Sequence, residues 1–285
     1  ATVALSRRLL PLPVRFAGQE FSMDIYEGRL ASGVEVKLLG HEEQFAKSCE
    51  PVESPDDILR CGLLCHGAMA LMAHESDRVD ILHAHGWQAA LVPHLLRHGE
   101  VRPQNLSSTS SVLTIHDLRH QGIADAEMVE RLGLSRKHFV PQGFEYFGQL
   151  NILKAGLVTA DRVTTVSASY AREMMEPPGG VGLEGVLRSL SGGIRGILNG
   201  IDTDLWNPDT DDRIEVNYSA EDPAGKALCK EALQKNLGMP VRPDVPLIGM
   251  ASHLDAARGA DLFLTIASRL LRSDVQLVVM GDGDE

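Results

Sequence analysis

Cysteine is scarce in this chain: four in 285 residues, at Cys49, Cys61, Cys65 and Cys229. They lack the paired spacing of a zinc ribbon, and Cys61 and Cys65 lie four apart in a stretch of helical pattern. They read as reduced core thiols of an intracellular protein. Positive charge is also short, with 27 Lys and Arg against 39 Asp and Glu, a formal charge of −12. This balance offers no basic field for coating nucleic acid or an anionic membrane, so any bound anion must be held locally. No apolar run approaches the roughly 20 residues that a membrane span needs. The opening ATVALSRRLLPLPV has neither a long apolar stretch nor a cleavage site, and the chain reads as soluble. Repeats and low-complexity tracts are absent. What is there, 44% hydrophobic and 23% charged residues, is an ordinary globular composition able to bury one or two cores. The start at Ala1 without a methionine, and the stop at Glu285 just after an apolar run, read as a fragment of something longer.

Residues 21–39 alternate apolar and polar around a Gly-containing turn, which predicts an antiparallel hairpin. From about residue 55 the pattern changes. Helical stretches at 56–72, 87–98 and 150–160 alternate with short apolar strands at 79–83, 111–115 and 162–166. That alternation predicts right-handed βαβ units and a mostly parallel sheet covered on both faces. A second such unit follows late in the chain: a strand at 245–251, a polar loop, a helix at 260–272 and a strand at 275–280. Between them, proline-rich and charged sequence reads as a linker with one helix at 225–237.

Ligands of open parallel sheets bind beyond the carboxyl ends of the strands. The residues selected by that rule are His85-Gly86-Trp87, His116-Asp117, Ser167, Asn199-Gly200, Ser252-His253 and Gly281-Asp282-Gly283. His83 and His85 sit on one strand, and the reading takes only one of them to face a site, with no third metal ligand at a convincing spacing. Gly259 at a helix amino end and Arg258 beside it suit a phosphate. These features reach a two-domain α/β protein with a site for an anionic, nucleotide-like ligand, and they do not name a reaction.

Taken together, the strings resemble the glycogen and starch synthases, retaining glucosyltransferases that extend α-1,4-glucan. The segments are YEGRL at 26–30, HAHGWQAAL at 83–91, TIHDLRHQG at 114–122 and ILKAGLVTADRVTTVSASYARE at 152–173. GLEGVL at 182–187 and ILNGIDTDLWNPDTD at 197–211 follow in the family order. The stretch from Tyr218 to Leu247 is similar to the soluble starch synthases of plants and algae. The resemblance implies an α/β fold of GT-B type: a Rossmann-like amino domain over 1–212, a linker over 213–244, and the first βαβ unit of a second Rossmann-like domain over 245–285. It implies His116 and Asn199 as catalytic residues, with Ser252, His253, Arg258 and Gly259 on the donor. A substrate cleft of Gly86, Trp87, Asp117, Gln149 and Lys154 is implied as well. The partners it implies are an α-1,4-glucan acceptor and a nucleotide sugar, ADP-glucose or UDP-glucose. No cofactor or metal, no nucleic acid and no membrane span are expected. The implied location is a plastid stroma, with bacterial cytoplasm as the alternative.

The sequence also departs from the family pattern. His253 and Arg258 stand where the family has Arg and Lys, and loss of one preorganised donor typically costs about 3 kcal/mol of transition-state stabilisation. Gly86 replaces an acidic residue before Trp87, and Asp117 replaces an Asn. The family's opening Lys-Thr-Gly-Gly-Leu loop has no counterpart, and its acidic donor segment would lie past Glu285. These departures motivate an alternative, a non-catalytic glucan-binding or regulatory relative. A sucrose-forming synthase of the same fold is a third reading, which the Trp-Asn-Pro and Gly-Leu-Glu-Gly segments oppose.

Overall fold

A computed structural model describes residues 4–45, 54–75, 77–99 and 103–283. The chain divides into two compact units, residues 1–199 and 200–285. Cys49 lies outside the described residues.

The first unit opens with antiparallel strands β1 (Ser6–Arg7), β2 (Leu12–Phe16), β3 (Gln19–Arg29) and β4 (Glu35–Gly40). The long β3 pairs with the other three. Its hairpin with β4 runs from Arg29↔Glu35 to Asp24↔Gly40, as the period-two pattern predicts. On β2 the alternation is strict: Leu12, Val14 and Phe16 are buried and the residues between them exposed.

Helix α1 (Pro55–His74) starts at a capping box. Ser54 accepts the Asp57 N–H while the Asp57 carboxylate accepts the Ser54 N–H, and Pro55 supplies a pre-set first turn. The βαβ region follows with β5 (Ile81–His85), α2 (Leu91–His98), β6 (Ser110–Ile115), β7 (Ile123–Ala124), α3 (Met128–Arg131), β8 (Glu145–Tyr146), β9 (Gln149–Asn151), α4 (Ile152–Thr159), β10 (Arg162–Thr165), α5 (Ala168–Glu173), α6 (Glu184–Ser189) and β11 (Ile194–Gly196). Strands β5, β6, β10 and β11 form a parallel sheet in the order β11-β10-β6-β5. The Asp161 carboxylate accepts the Ser111 N–H and Oγ–H at 2.8 and 2.9 Å, which fixes where β6 and β10 begin. Strands β7, β9 and β8 make a small antiparallel sheet.

Leu113, Ile115, Leu118, Leu150 and Ile152 are fully buried in the core of this unit. Helices α2 and α4 approach so closely that a Cβ on Gly156 would lie 2.6 Å from the Ala90 carbonyl oxygen. The sheet is not covered on both faces at its edge: β5 buries Leu82 and Ala84, while Ile81, His83 and His85 are exposed. An edge strand can leave one face open, because only its inner face needs the apolar residues. Cys61 and Cys65 are buried, as expected of core thiols, and burial pushes the Cys65 thiol up. Cys229 is free and half-buried.

The second unit holds α7 (Gly225–Asn236), β12 (Leu247–Ala251), α8 (Ala260–Leu270) and β13 (Gln276–Met280). β12 and β13 pair in parallel with Leu247↔Gln276 to Ala251↔Met280, the predicted βαβ unit. Helix α7 is tied to it by the buried amide of Gln234, which donates to Gln276 Oε1, and by Lys230, which donates to the Pro243 carbonyl at 2.7 Å.

The core carries one titratable group with a large consequence. His94 on α2 is 4% exposed, its ring packs on Phe144 and His138, and its Nδ1 has no hydrogen-bond partner. Burial, then the neighbouring His98, His138 and Lys137, push this imidazole down to about 3. The unfolded chain therefore binds a proton near pH 6.5 that the folded chain refuses, so stability is lost as the pH falls through the window from 6.5 to about 3. Between pH 7 and pH 5 the expected loss from this residue is about 2 kcal/mol. Urea denaturation of the wild-type chain and of His94→Phe at both pH values checks it: the variant should lose less stability by that amount.

Candidate functional site

Parallel pairing carries the carboxyl ends of β5, β6, β10 and β11 to one edge of the sheet, and the polar residues cluster there. His85 ends β5 and His116 follows β6. His85 Nδ1 and His116 Nε2 are hydrogen-bonded at 3.0 Å, and their rings stack with centroids 5.3 Å apart. The bond survives only while at least one ring is neutral. Burial, then the charges of His83 and His116, push His85 down, so the His85 ring is neutral at pH 7. With Nε2 engaged, Nδ1 of the exposed His116 is the nitrogen that remains for a ligand.

His83 joins the same face. Its ring centroid is 4.2 Å from that of His85, and its Nε2 bonds Thr114 Oγ1 at 2.6 Å, which in turn meets Thr164 Oγ1 at 2.6 Å. The expectation that only one of His83 and His85 can face a site is therefore wrong: residues two apart on a strand share a face. The three imidazoles stack, and no three His, Cys, Asp or Glu among the described residues are arranged to hold a metal ion.

Asp117 follows His116 and is held by Arg119. The Arg119 N–H donates to Oδ1 at 2.8 Å, and the guanidinium grips both carboxylate oxygens. Hydrogen bonding to Arg119 keeps the Asp117 carboxyl below its ordinary range, so it is an anion at neutral pH. Gly86 takes φ 68° and ψ 179°, a conformation that is essentially glycine's alone, and donates its N–H to the Thr114 carbonyl at 2.9 Å. A Cβ there would lie 2.7 Å from Gln88 Oε1.

The remaining expected residues separate from this pair. Trp87 is 6% exposed, and a Cβ on Gly122 would lie 2.5 Å from its ring, so Trp87 is packed into the core. Lys154 is 5% exposed, and its Nζ donates to the carbonyls of Pro141 and Glu145 at 2.7 and 2.5 Å. Burial pushes its ammonium down, and two backbone acceptors use its donors, so Lys154 ties down the 141–145 loop. Gln149 is exposed and lines a separate cavity of about 270 Å³ with Ile58, Ile123, Asp125 and Met128. Asn199 is exposed just after β11, two strands from β6 and so about 10 Å across the sheet. Ser167 at the end of β10 caps α5 by accepting the Tyr170 N–H at 2.9 Å.

In the second unit the loops after β12 and β13 join: Leu254 donates its N–H to the Asp282 carbonyl at 2.7 Å. His253 Nδ1 lies 3.3 Å from Asp282 Oδ1. Arg258 pairs with Asp255 through its guanidinium and through its N–H at 2.8 Å. Gly259, with φ 83° and ψ 22°, turns the chain into α8. Ser252 Oγ is buried without a partner.

The chain belongs to the starch synthase catalytic domain family, whose model matches residues 2–189. It is 44% identical over 230 residues to glycogen synthase 2 of Geobacter sulfurreducens, covering 81% of this chain and 48% of that protein. It is 46% identical over 228 residues to a glycogen synthase of Anaeromyxobacter sp., covering 80% and 48%. The solved catalytic domain of starch synthase IV from Arabidopsis thaliana, bound to ADP and acarbose, superposes with a TM-score of 0.91 at 30% identity. That match covers 99% of this chain and 59% of the other. The α/β fold is thus of GT-B glycosyltransferase type. The chain spans about half the length of the curated relatives it matches.

Sequence reasoning missed His85 as the partner of His116 and the chain from His83 through Thr114 to Thr164. Period two alone would have put 83 and 85 on one face, while the links to His116, Thr114 and Thr164 follow from the register between strands. For Gly86 the structure supplies a conformational requirement. Gly86→Asp is expected to destabilise the folded chain by about 1–3 kcal/mol, checked by its urea midpoint against that of the wild type.

Proposed function

We propose that this chain serves glucosyl transfer from a nucleotide-activated glucose to the non-reducing end of an α-1,4-glucan with retention. The hydrogen-bonded His85–His116 pair at the parallel strand ends carries the reading. Sugar hydroxyls and a glycosidic bond that breaks with oxocarbenium character call for a fixed polar group beside the ring. His85 fixes the orientation of His116, whose Nδ1 meets the sugar. Asp117, held by Arg119, supplies acceptor oxygens, and Asn199 a second polar group on the same sheet edge. Positive charge must face the departing diphosphate, and the second unit offers Arg258 and the amino end of α8 beyond Gly259. His253 and Ser252 lie on the neighbouring loop.

ADP-glucose is the favoured donor, supported by the ADP in the solved plant relative. UDP-glucose is the alternative. The reaction needs no metal or cofactor in this reading, because side chains and helix termini neutralise the diphosphate. Among the described residues no helix is long and apolar enough to cross a membrane. The bacterial glycogen synthases among the relatives support bacterial cytoplasm as the location and take support from a plastid stroma. The net charge of −12 supports the absence of a nucleic-acid partner.

One observation favours the second reading, a glucan-binding relative without catalysis: Arg258 is paired with Asp255 and the His253 ring lies against Asp282, so both side chains are already partnered. Radiolabel transfer to glycogen by the full-length gene product, from ADP-glucose and from UDP-glucose, with and without EDTA, decides between them. Transfer from at least one donor that EDTA does not reduce, with the product anomer retained by NMR, is expected. His116→Ala should lower kcat by about 100-fold or more, and His85→Gln should lower kcat with little change in KM. Glucan binding with no transfer from either donor would establish the second reading instead.

A further inference from the structure

The hairpin of β8 and β9 closes through a two-residue turn, Phe147-Gly148, with φ of 50° and 83°. A two-residue hairpin turn with both φ values positive matches the twist of its strands and takes Asn, Asp or Gly at its first position. A phenylalanine there sets its Cβ in a backbone region that L residues avoid. Burial does not compensate, since Phe147 is 87% exposed. Strained residues of this kind cluster at binding and active sites.

The surroundings are built around that ring. Tyr146 meets Phe147 edge-on, with centroids 4.8 Å apart and planes at 79°. The Tyr146 hydroxyl fills the space that a Cβ on Gly182 would need. Val181, beside it, is a second non-glycine residue with a left-handed backbone, at φ 48°, and Gln121 anchors it by donating to its carbonyl at 3.0 Å. Two carboxylates rim the patch. Glu145 Oε1 accepts the Gly148 N–H at 2.6 Å, and Glu184 Oε1 accepts the Gly182 N–H at 3.1 Å, so each has a second oxygen for another donor.

We infer that Phe147, seated on Tyr146 and rimmed by Glu145 and Glu184, is a stacking platform for the α-1,4-glucan acceptor. The flat C–H face of a glucose unit covers an aromatic ring, and its hydroxyls donate to carboxylates at the rim. One exposed ring with an acidic rim matches a sugar unit better than a protein, whose docking needs a contiguous apolar patch. The inference rests on the reading that this chain works on α-glucan, and it adds a residue outside the His85–His116 pair.

Affinity electrophoresis of the whole chain through gels with and without glycogen tests it. The wild-type chain should be retarded by glycogen. Phe147→Asn suits the turn, so its Tm should equal or exceed that of the wild type, while its apparent Kd for glycogen rises roughly fivefold. Phe147→Trp should keep the wild-type retardation. A Phe147→Asn chain retarded like the wild type, or a wild-type chain that glycogen does not retard, overturns the platform. Label transfer to a short malto-oligosaccharide keeps the two readings apart. Transfer without Phe147-dependent affinity sinks only the platform, and Phe147-dependent affinity without transfer sinks only the enzyme reading.

Discussion

Because β6 pairs in parallel with β5 on one side and β10 on the other, every polar residue just past those strands is delivered to the same edge. That pairing is specified at both of its ends. At the start of β6, Asp161 grips the Ser111 N–H and hydroxyl and so sets the register of β10 against β6. At the other end the Gly86 N–H meets the Thr114 carbonyl, one residue before the chain needs to turn away. A slip by one residue on β5 would send His83 and His85 to the buried face and Leu82 and Ala84 to the open one. The apolar core therefore fixes the imidazole pair, although neither ring belongs to the core.

Most of the framework is legible in the sequence, because apolar spacing is what both sequence and fold must satisfy. The 21–39 hairpin, the strands and helices of the βαβ region and the 245–280 unit all form within a few residues of their predicted limits. Side-chain roles are less legible. A buried lysine and a cleft lysine have the same letter: Lys154 is distinguished only by the carbonyls of Pro141 and Glu145, which a loop 9–13 residues away brings to its Nζ. Trp87 likewise owes its burial to Gly122, which is remote in sequence. The pairing of His85 with His116 depends on register between two strands, and that information sits in neither motif by itself.

Gly86 and Phe147 show two opposite responses to a positive φ. At Gly86 a positive φ is met by the residue without a Cβ, so the local chemistry follows the conformational demand. Read as composition, Gly86 is a missing carboxylate; read as geometry, it is the residue that lets the chain leave β5 while keeping its bond to Thr114. At Phe147 the φ is also positive, in a turn position that favours Asn, Asp or Gly, and the residue disregards the preference. Ala17, at φ 52° in the two-residue turn between β2 and β3, meets the same demand with only a methyl group, so what sets Phe147 apart is a large exposed ring at such a position.

The second unit carries a related argument in charge. His253 and Arg258 each face a carboxylate, Asp282 and Asp255. Asp255 also caps the turn before α8 by accepting the Arg258 N–H, so the acid is needed for local structure whether or not a cation sits opposite it. An arginine fork satisfies two carboxylate directions at once, which an ammonium cannot, so Arg258 is the better partner for a capping aspartate. An imidazole opposite Asp282 has no permanent charge and fewer donors. The two side chains are thus held unequally: Arg258 tightly by its capping aspartate, and His253 by a single contact. A diphosphate approaching the amino end of α8 would have to draw Arg258 away from Asp255, so the strength of that pair sets how much of the arginine's charge a ligand receives.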